Sequence, residues 1–200
     1  LLGVKEGREE HYTPDYGSLP HDEYLSPGFI LPYSGSSGCY WNKCSFCPET
    51  AEDNPYHPVP THRALEDIRS LAAGTRPVLL HLLDNSISPA LMSALAADPP
   101  GVPWYGFARI GQDLTDLDHC EALKRSGCAM LKLGLESGDQ GVLDRLQKGI
   151  DLDMASRVLT TLKKAGIATY VYLLFGTPEE RLIEARKTLE FTVRHADAIR

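Results

Sequence analysis

Short apolar runs alternate with amphipathic stretches along most of the chain. Five apolar runs are typical of buried strands: 29–31, 78–83, 102–108, 129–135 and 168–175. Apolar residues recur at helical spacing in three intervening segments: 64–72, 117–123 and 158–162. Strands that alternate with helices are joined by right-handed crossovers and lie parallel to one another. The pattern therefore predicts an α/β fold, built either as an open doubly wound sheet or as a barrel.

Glycine and capping residues predict where several elements end. Gly127 and Gly166 each precede a predicted strand, as expected for the left-handed residue that closes a helix. Residues 177–180 (Thr-Pro-Glu-Glu) combine a capping Thr, a first-turn Pro and a Glu three positions after the Thr. These signals predict that the last helix begins there. Residues 197–200 look like the opening of another strand.

The length of 200 residues limits the architecture. A complete eight-unit βα barrel takes about 250 residues, so five units and part of a sixth fit here. Residues 1–27 contain several Pro and Gly residues and no periodic pattern, which predicts an extended lead-in before a core at 28–200. Because residue 1 is Leu and 197–200 stop at a predicted strand, we expect a piece of a longer protein.

Charge and hydropathy exclude two classes of partner. Twenty Lys and Arg residues against 27 Asp and Glu residues give a net charge of −7, so a nucleic acid is not the expected partner. No apolar run approaches the roughly 20 residues of a membrane-spanning helix. The first residues also lack the plan of a signal peptide. We therefore expect a cytoplasmic protein with no membrane partner.

Three of the five cysteines, Cys39, Cys44 and Cys47, lie close together after the first predicted strand. Such a loop lies at the carboxyl edge of a parallel sheet, where α/β folds bind ligands. Three thiolates can hold three irons of a 4Fe-4S cluster and leave one iron open, whereas electron carriers usually have four ligands. A zinc site also needs a fourth ligand, for which His57 is the candidate. An iron-sulfur catalyst, an electron-transfer cluster and a zinc-stabilised binding module all remain open.

Two later segments contain further motifs. Residues 132–143 read Lys-Leu-Gly-Leu-Glu-Ser-Gly-Asp-Gln-Gly-Val-Leu and are followed by Lys-Gly-Ile at 148–150. Residues 176–180 read Gly-Thr-Pro-Glu-Glu and are followed by Thr-Leu-Glu-Phe at 188–191. With the cysteine triplet, these motifs resemble the radical S-adenosylmethionine (SAM) superfamily, in particular the branch that often carries a cobalamin-binding domain upstream.

The resemblance implies a partial (β/α)6 TIM-like barrel, truncated near the start of strand 6. In that family SAM binds the open iron of a 4Fe-4S cluster, and an electron cleaves SAM to methionine and a 5′-deoxyadenosyl radical. The implied partners are a small-molecule or peptide substrate and an external electron donor of the flavodoxin or ferredoxin type. Cobalamin would be held by an upstream domain.

The resemblance also assigns roles to individual residues beyond the three cluster cysteines. It places Phe46, the aromatic residue before the last cysteine, against SAM. It implies that Glu136 and Ser137 contact SAM as well. Asp84 lies where the family's Gly-Gly-Glu turn is missing, and we expect it to accept a hydrogen bond from the SAM ammonium group instead. Arg109, at the end of the third main strand, would pair with the SAM carboxylate or with Glu136.

The sequence departs from the family pattern at three places. Four residues separate Cys39 from Cys44, where three are commonest. The sequence Leu-Asp-Asn-Ser at 83–86 replaces a Gly-Gly-Glu turn. Glu179 and Arg181 occupy positions where the family usually has Gly and Thr.

Other candidate residues also have structural interpretations. Cys120 and Cys128 fall at apolar positions and are expected to be buried. Tyr170 and Tyr172 share one strand face, which either packs in the barrel interior or faces a ligand. His81 is expected to be a core histidine.

Overall fold

A parallel sheet of five strands forms the centre of the protein. The computed structural model describes residues 13–178 and 180–199, apart from the side chain of Asp22. The strands are β1 (Ile30–Tyr33), β2 (Ser36–Ser37), β3 (His57–Pro58), β4 (Leu79–Leu82), β5 (Trp104–Ala108), β6 (Cys128–Glu136) and β7 (Ala168–Leu173). The helices are α1 (Pro48–Ala51), α2 (Thr61–Thr75), α3 (Pro89–Ala97), α4 (Leu117–Arg125), α5 (Gln140–Arg145), α6 (Leu152–Ala165) and α7 (Leu182–Arg194). Two short 3-10 helices occupy His21–Glu23 and Gln112–Thr115.

The five strands pair in the order β1-β4-β5-β6-β7, and every pair is parallel. This order follows the chain without reversal, as in a βα barrel, whereas a doubly wound sheet changes direction at its switch point. The short strands β2 and β3 form a separate antiparallel ribbon. The predicted α/β fold of parallel strands is therefore confirmed, with the winding of a partial barrel.

The two faces of the sheet differ in burial. On β6, the side chains of Leu131, Leu133 and Leu135 are fully buried, while Lys132 and Glu136 on the opposite face are partly accessible to solvent. The same alternation occurs on β5, where Trp104 is fully buried. Since successive side chains of a strand point to opposite faces, the apolar core occupies one side of the sheet. The other side is left to carry polar and aromatic groups.

Two of the predicted helix ends are confirmed. Gly127 after α4 has a φ of 100°, and Gly166 after α6 has a φ of 75°. Both values fall in the region that favours glycine. No helix in the described part of the chain is long and apolar enough to cross a membrane.

The predicted start of the last helix at 177–180 is wrong. Helix α7 begins at Leu182, and the Glu184 carboxylate accepts a hydrogen bond from the backbone N–H of Arg181 at 2.9 Å. The Glu180 carboxylate accepts from the N–H of Thr177 at 3.2 Å but closes a turn there. Glu179 lies outside the described residues, as do residues 1–12 of the lead-in.

The described residues near both ends of the chain contact the core and do not belong to the sheet. In the lead-in, the Tyr16 hydroxyl donates to the carbonyl of Pro32 in β1 at 2.8 Å, and Thr13 donates to Asp67 in α2 at 2.6 Å. Residues 195–198 form turns, so the predicted strand does not begin at 197. The carbonyl of Ala198 instead accepts a hydrogen bond from Thr169 in β7.

Candidate functional site

A cavity of about 440 Å³ lies at the carboxyl edge of the parallel sheet. Its wall combines the loop after β1, the ends of β4 to β7 and the segment after α5. The residues that line it include Cys39, Trp41, Cys44, Phe46, Cys47, Asn85, Phe107, Arg109, Glu136, Lys148 and Tyr172. Six of the eight residues predicted for the site thus share one cavity, because loops that follow parallel strands meet at one edge.

The three clustered cysteines are half-buried free thiols on the cavity wall. Burial raises the pKa of the Cys44 thiol, whereas the nearby Lys148 and Arg109 side chains act to lower it. Within the described residues, no three His, Cys, Asp or Glu side chains converge as ligands of a single metal ion do. In a 4Fe-4S cluster each thiolate binds a different iron, so its sulfurs are spaced more widely. Three thiols on one cavity wall fit that donor set.

The loop that carries the cysteines is anchored to the last residue of α5 and to the segment that follows it. The Ser45 backbone N–H donates to the carbonyl of Leu146 at 3.0 Å, and the Ser45 hydroxyl donates to that of Arg145 at 3.2 Å. The indole N–H of Trp41 donates to the carbonyl of Gln147 at 3.1 Å. Three hydrogen bonds therefore hold a loop that has little regular secondary structure of its own.

Arg109 joins the same two segments from the end of β5. Its guanidinium carbon lies 3.7 Å from the centroid of the Trp41 ring, a cation–π contact. Its Nη2 donates to the carbonyl of Gly149 at 2.8 Å and also to that of Lys148. Arg109 does not pair with Glu136 in this structure. Glu136 forms its ion pair with Lys148 instead.

Glu136 and Lys148 form an ion pair inside the cavity. The Lys148 Nζ lies 3.0 Å from Glu136 Oε1. The Lys148 side chain is only 11% exposed and the Glu136 side chain only 12%. Glu136 has a φ of 67°, at a shift in the register between β6 and β7. A Cβ at Gly134 would lie 2.5 Å from Glu136 Oε1 and 2.7 Å from Lys148 Nζ. A side chain at position 134 would therefore require the Glu136 and Lys148 side chains to move.

Asp84 and Ser137 are not brought to the cavity. Asp84 is 1% exposed, and its carboxylate accepts hydrogen bonds from the N–H of Gly35 at 3.0 Å and the hydroxyl of Ser36 at 2.6 Å. Burial raises the pKa of Asp84, and these two hydrogen bonds oppose the increase. Ser137 is fully buried against the Thr188 hydroxyl, 3.1 Å away. Asp84 therefore binds the turn after β1, and Ser137 links the end of β6 to helix α7.

Several residues of the cavity wall were not predicted as site residues. Asn85, next to Asp84, lines the cavity and donates to Glu49 Oε1 at 2.8 Å. Lys148 belongs to the Lys-Gly motif, and Trp41 lies between the first two clustered cysteines. The sequence signal that could have identified these three residues as site residues is their position within or next to a motif.

The remaining chemistry-bearing residues lie elsewhere. Cys120 and Cys128 are fully buried, as expected, and burial raises the pKa of Cys120 to about 12. His57 is exposed on β3 and is not among the residues that line the cavity. The structure therefore does not place His57 with the cysteines as the zinc alternative requires.

The sequence model of the Radical SAM superfamily matches residues 33–192 of this chain. The chain belongs to the radical SAM superfamily. It is 24% identical over 193 residues to an uncharacterized methyltransferase of Pyrococcus horikoshii, covering 92% of this chain and 41% of that protein. It is 26% identical over 194 residues to the bacteriochlorophyllide d C-12(1)-methyltransferase of Chlorobaculum tepidum, covering 91% of this chain and 41% of that protein.

Among solved structures, this radical SAM chain is similar to the radical SAM methyltransferase TsrM from Kitasatospora setae, with cobalamin and a [4Fe-4S] cluster bound. The TM-score is 0.70 and the identity 20%, over 84% of this chain and 35% of that one. This likeness shows the shared fold. The chain spans about two fifths of the length of the two curated methyltransferases.

Proposed function

We propose that this chain forms the SAM-cleaving part of a radical SAM enzyme, with Cys39, Cys44 and Cys47 as the ligands of a 4Fe-4S cluster. The observation that carries the proposal is the position of all three thiols on one cavity at the carboxyl edge of the sheet. When bound, the cluster supplies the electron that cleaves SAM reductively.

The side chains around the thiols have separate roles in this proposal. Arg109 and Lys148 place positive charge beside the cysteines and so offset the negative charge that thiolates bring. Phe46, 41% exposed, presents an apolar surface beside them. The Glu136 carboxylate, held by Lys148, offers an oxygen that accepts hydrogen bonds from the SAM ribose or ammonium group. The cavity walls also restrict the access of water to the reacting groups.

Methyl transfer is the reaction class that we propose for the whole protein. Both curated relatives are named as methyltransferases, and the radical SAM methyltransferase TsrM binds cobalamin. The proposal includes cobalamin held by another part of the protein and an external one-electron donor of the flavodoxin or ferredoxin type.

Anaerobic reconstitution with iron and sulfide tests the cluster assignment. We expect about four irons per chain and release of 5′-deoxyadenosine after addition of SAM and dithionite. Cys44→Ala removes one ligand and should reduce both quantities strongly. The matched control is Cys120→Ala, which removes a buried thiol outside the cavity and should leave both unchanged.

Each alternative function has its own signature in this experiment. Four irons without any 5′-deoxyadenosine would instead indicate an electron-transfer module. Tightly bound zinc with little iron would indicate a zinc-stabilised binding module. A Cys44→Ala variant that retained a full cluster would contradict the ligand assignment itself.

A further inference from the structure

Five aromatic side chains cover the half-buried face of β4 to β7. We call them the aromatic floor: His81, Tyr105, Phe107, Tyr170 and Tyr172. His81 stacks on Tyr105 with ring centroids 4.3 Å apart, and Phe107 stacks on Tyr172 at 5.2 Å. Tyr170 and Tyr172 are 4.9 Å apart. The rings therefore form contacts between β4 and β5, within β7, and between β5 and β7, the two strands that flank β6.

The register of the sheet explains why these rings form one surface. His81 pairs with Tyr105, Phe107 with Lys132, and Lys132 with Tyr170. Paired residues of parallel strands point to the same face. Four strands at a spacing of about 4.8 Å give the floor a width of roughly 14 Å, enough for a molecule of two or more fused rings.

Lys132 lies in the middle of the aromatic floor. Its Nζ is 4.9 Å from the centroid of the Tyr105 ring and 5.0 Å from that of Phe107. Within the described residues Lys132 contacts these two rings and forms no ion pair with a carboxylate. Glu136, the acidic residue on the same face of β6, is bound to Lys148. A half-buried ammonium group without a counter-ion favours an anionic ligand.

His81 adds a second polar group without a partner. Its Nε2 atom is buried and makes no hydrogen bond. Burial lowers the pKa of His81, and the positive charge of Lys132 lowers it further. The ring is therefore neutral near pH 7 and adds no second positive charge beside Lys132.

The aromatic floor is continuous with the cavity of the cysteines. Phe107 and Tyr172 belong to the floor and also line that cavity. A molecule that lies on the floor would therefore adjoin the place where the proposed function puts SAM. This contact makes the floor a suitable surface for the substrate of the reaction.

We propose that the aromatic floor binds a planar aromatic substrate with a carboxylate group. The substrate rings stack on the aromatic floor, and Lys132 pairs with the carboxylate. This inference deepens the proposed function, on which it rests, by naming the substrate class.

Binding of 2-naphthoate and of its neutral analogue 2-naphthamide to the cluster-loaded protein tests the inference. The two probes share a ring system and differ by one charge. We expect 2-naphthoate to bind about tenfold more tightly, as one charge-assisted contact provides. Titration calorimetry measures both affinities, and the wild-type iron content and 5′-deoxyadenosine release are measured on the same sample.

Variants of Lys132 separate a binding role from a structural one. Lys132→Met should abolish the preference for 2-naphthoate, and Lys132→Arg should retain it. Lys124→Met, an exposed position on α4, is the control and should behave as wild type. Circular dichroism checks that each variant is folded.

Three results would overturn the substrate assignment. These are equal affinities for the two probes in the wild type, a preference that persists in Lys132→Met, and no binding of either probe at millimolar concentration. Any of them can occur in a protein with four irons and normal SAM cleavage, in which case the proposed function stands. Failure of the cluster or of SAM cleavage would count against that function alone.

Discussion

Arg109, Trp41 and Gly149 form a tight contact between the cysteine loop and the segment after α5. A guanidinium group can stack on an aromatic face while its N–H groups donate in the ring plane, and Arg109 does both. Gly149 has a φ of 63°, and a Cβ there would lie 2.2 Å from Cζ2 of Trp41. The stacked arrangement therefore depends on the absence of a side chain at position 149.

Gly149→Ala should displace Trp41 and loosen the cysteine loop. The left-handed backbone alone costs about 1–3 kcal/mol for a residue with a side chain. We expect a lower thermal midpoint and fewer irons per chain after reconstitution. Gly74→Ala on α2 is the control, because a Cβ there meets no atom within 4 Å. Unchanged iron loading in Gly149→Ala would show that the contact does not position the loop.

At the residue scale, motif and strand position were sufficient for part of the site. Phe46, Arg109 and Glu136 line the cavity together with the cysteines because each lies in a loop or strand end at the carboxyl edge. Asp84 follows a strand too, yet its neighbour Asn85 lines the cavity instead. The direction of a side chain in a loop depends on the local turn and on tertiary partners, which the sequence pattern does not show. The SAM contacts of these residues stay predictions.

At the scale of elements, Asp139 connects α5 to α7. Its carboxylate caps α5 by accepting the Val142 N–H at 3.0 Å, and it also accepts from Lys187 Nζ of α7 at 2.7 Å. Burial acts to raise the pKa of Asp139, but the hydrogen bonds from Lys187 and Val142 outweigh it and the pKa is lowered. One side chain thus holds the last described helix against the segment that follows β6.

Asp139→Asn and Asp139→Ala separate these two contacts. Asp139→Asn retains a capping oxygen and loses the ion pair. Asp139→Ala loses both, and the loss of the cap alone lowers the free energy of unfolding by about 1 kcal/mol. Because the folded pKa is lowered, the ionised group stabilises the fold above the ordinary aspartate pKa of about 4. That stabilisation is lost as the pH falls through the lowered value.

Urea unfolding at neutral and acidic pH measures this difference. The gap in unfolding free energy between wild type and Asp139→Asn should shrink as the pH is lowered below about 4. A gap that does not change with pH would exclude the ionised pair as its source.

The prediction of elements failed where local signals were ambiguous. A Glu carboxylate accepts a backbone N–H three residues earlier at both Thr177 and Arg181, but a helix follows only the second contact. Helix α3 was not predicted, because its Ala-rich and Leu-rich sequence lacks an amphipathic period. Ser88 caps the start of this helix, because its hydroxyl accepts a hydrogen bond from the Leu91 N–H at 3.1 Å.

For the whole molecule, the alternation of strands and helices was sufficient to predict a parallel sheet. It was not sufficient to predict the order of the strands, because pairing depends on how the helices pack over long distances. The family resemblance implied the barrel-like winding, and the sequential order of the five strands confirms it.

The strand order also predicts where the protein is most resistant to opening. Strands β5 and β6 have partners on both sides, and Leu131 and Leu133 are fully buried. We expect their amides to exchange with deuterium only through global unfolding, whereas residues 13–27 exchange much faster. Hydrogen exchange with mass spectrometry measures both. Equal rates in β6 and in the lead-in would contradict this ranking.

The two faces of strand β6 place different requirements on their side chains. Leu131 and Leu133 must remain apolar to preserve the architecture, while Met130 and Lys132 on the opposite face make no contribution to that core. Residues on the half-buried face can therefore be varied without a loss of foldability. A library confined to those positions would test the proposed substrate surface while the core stays intact.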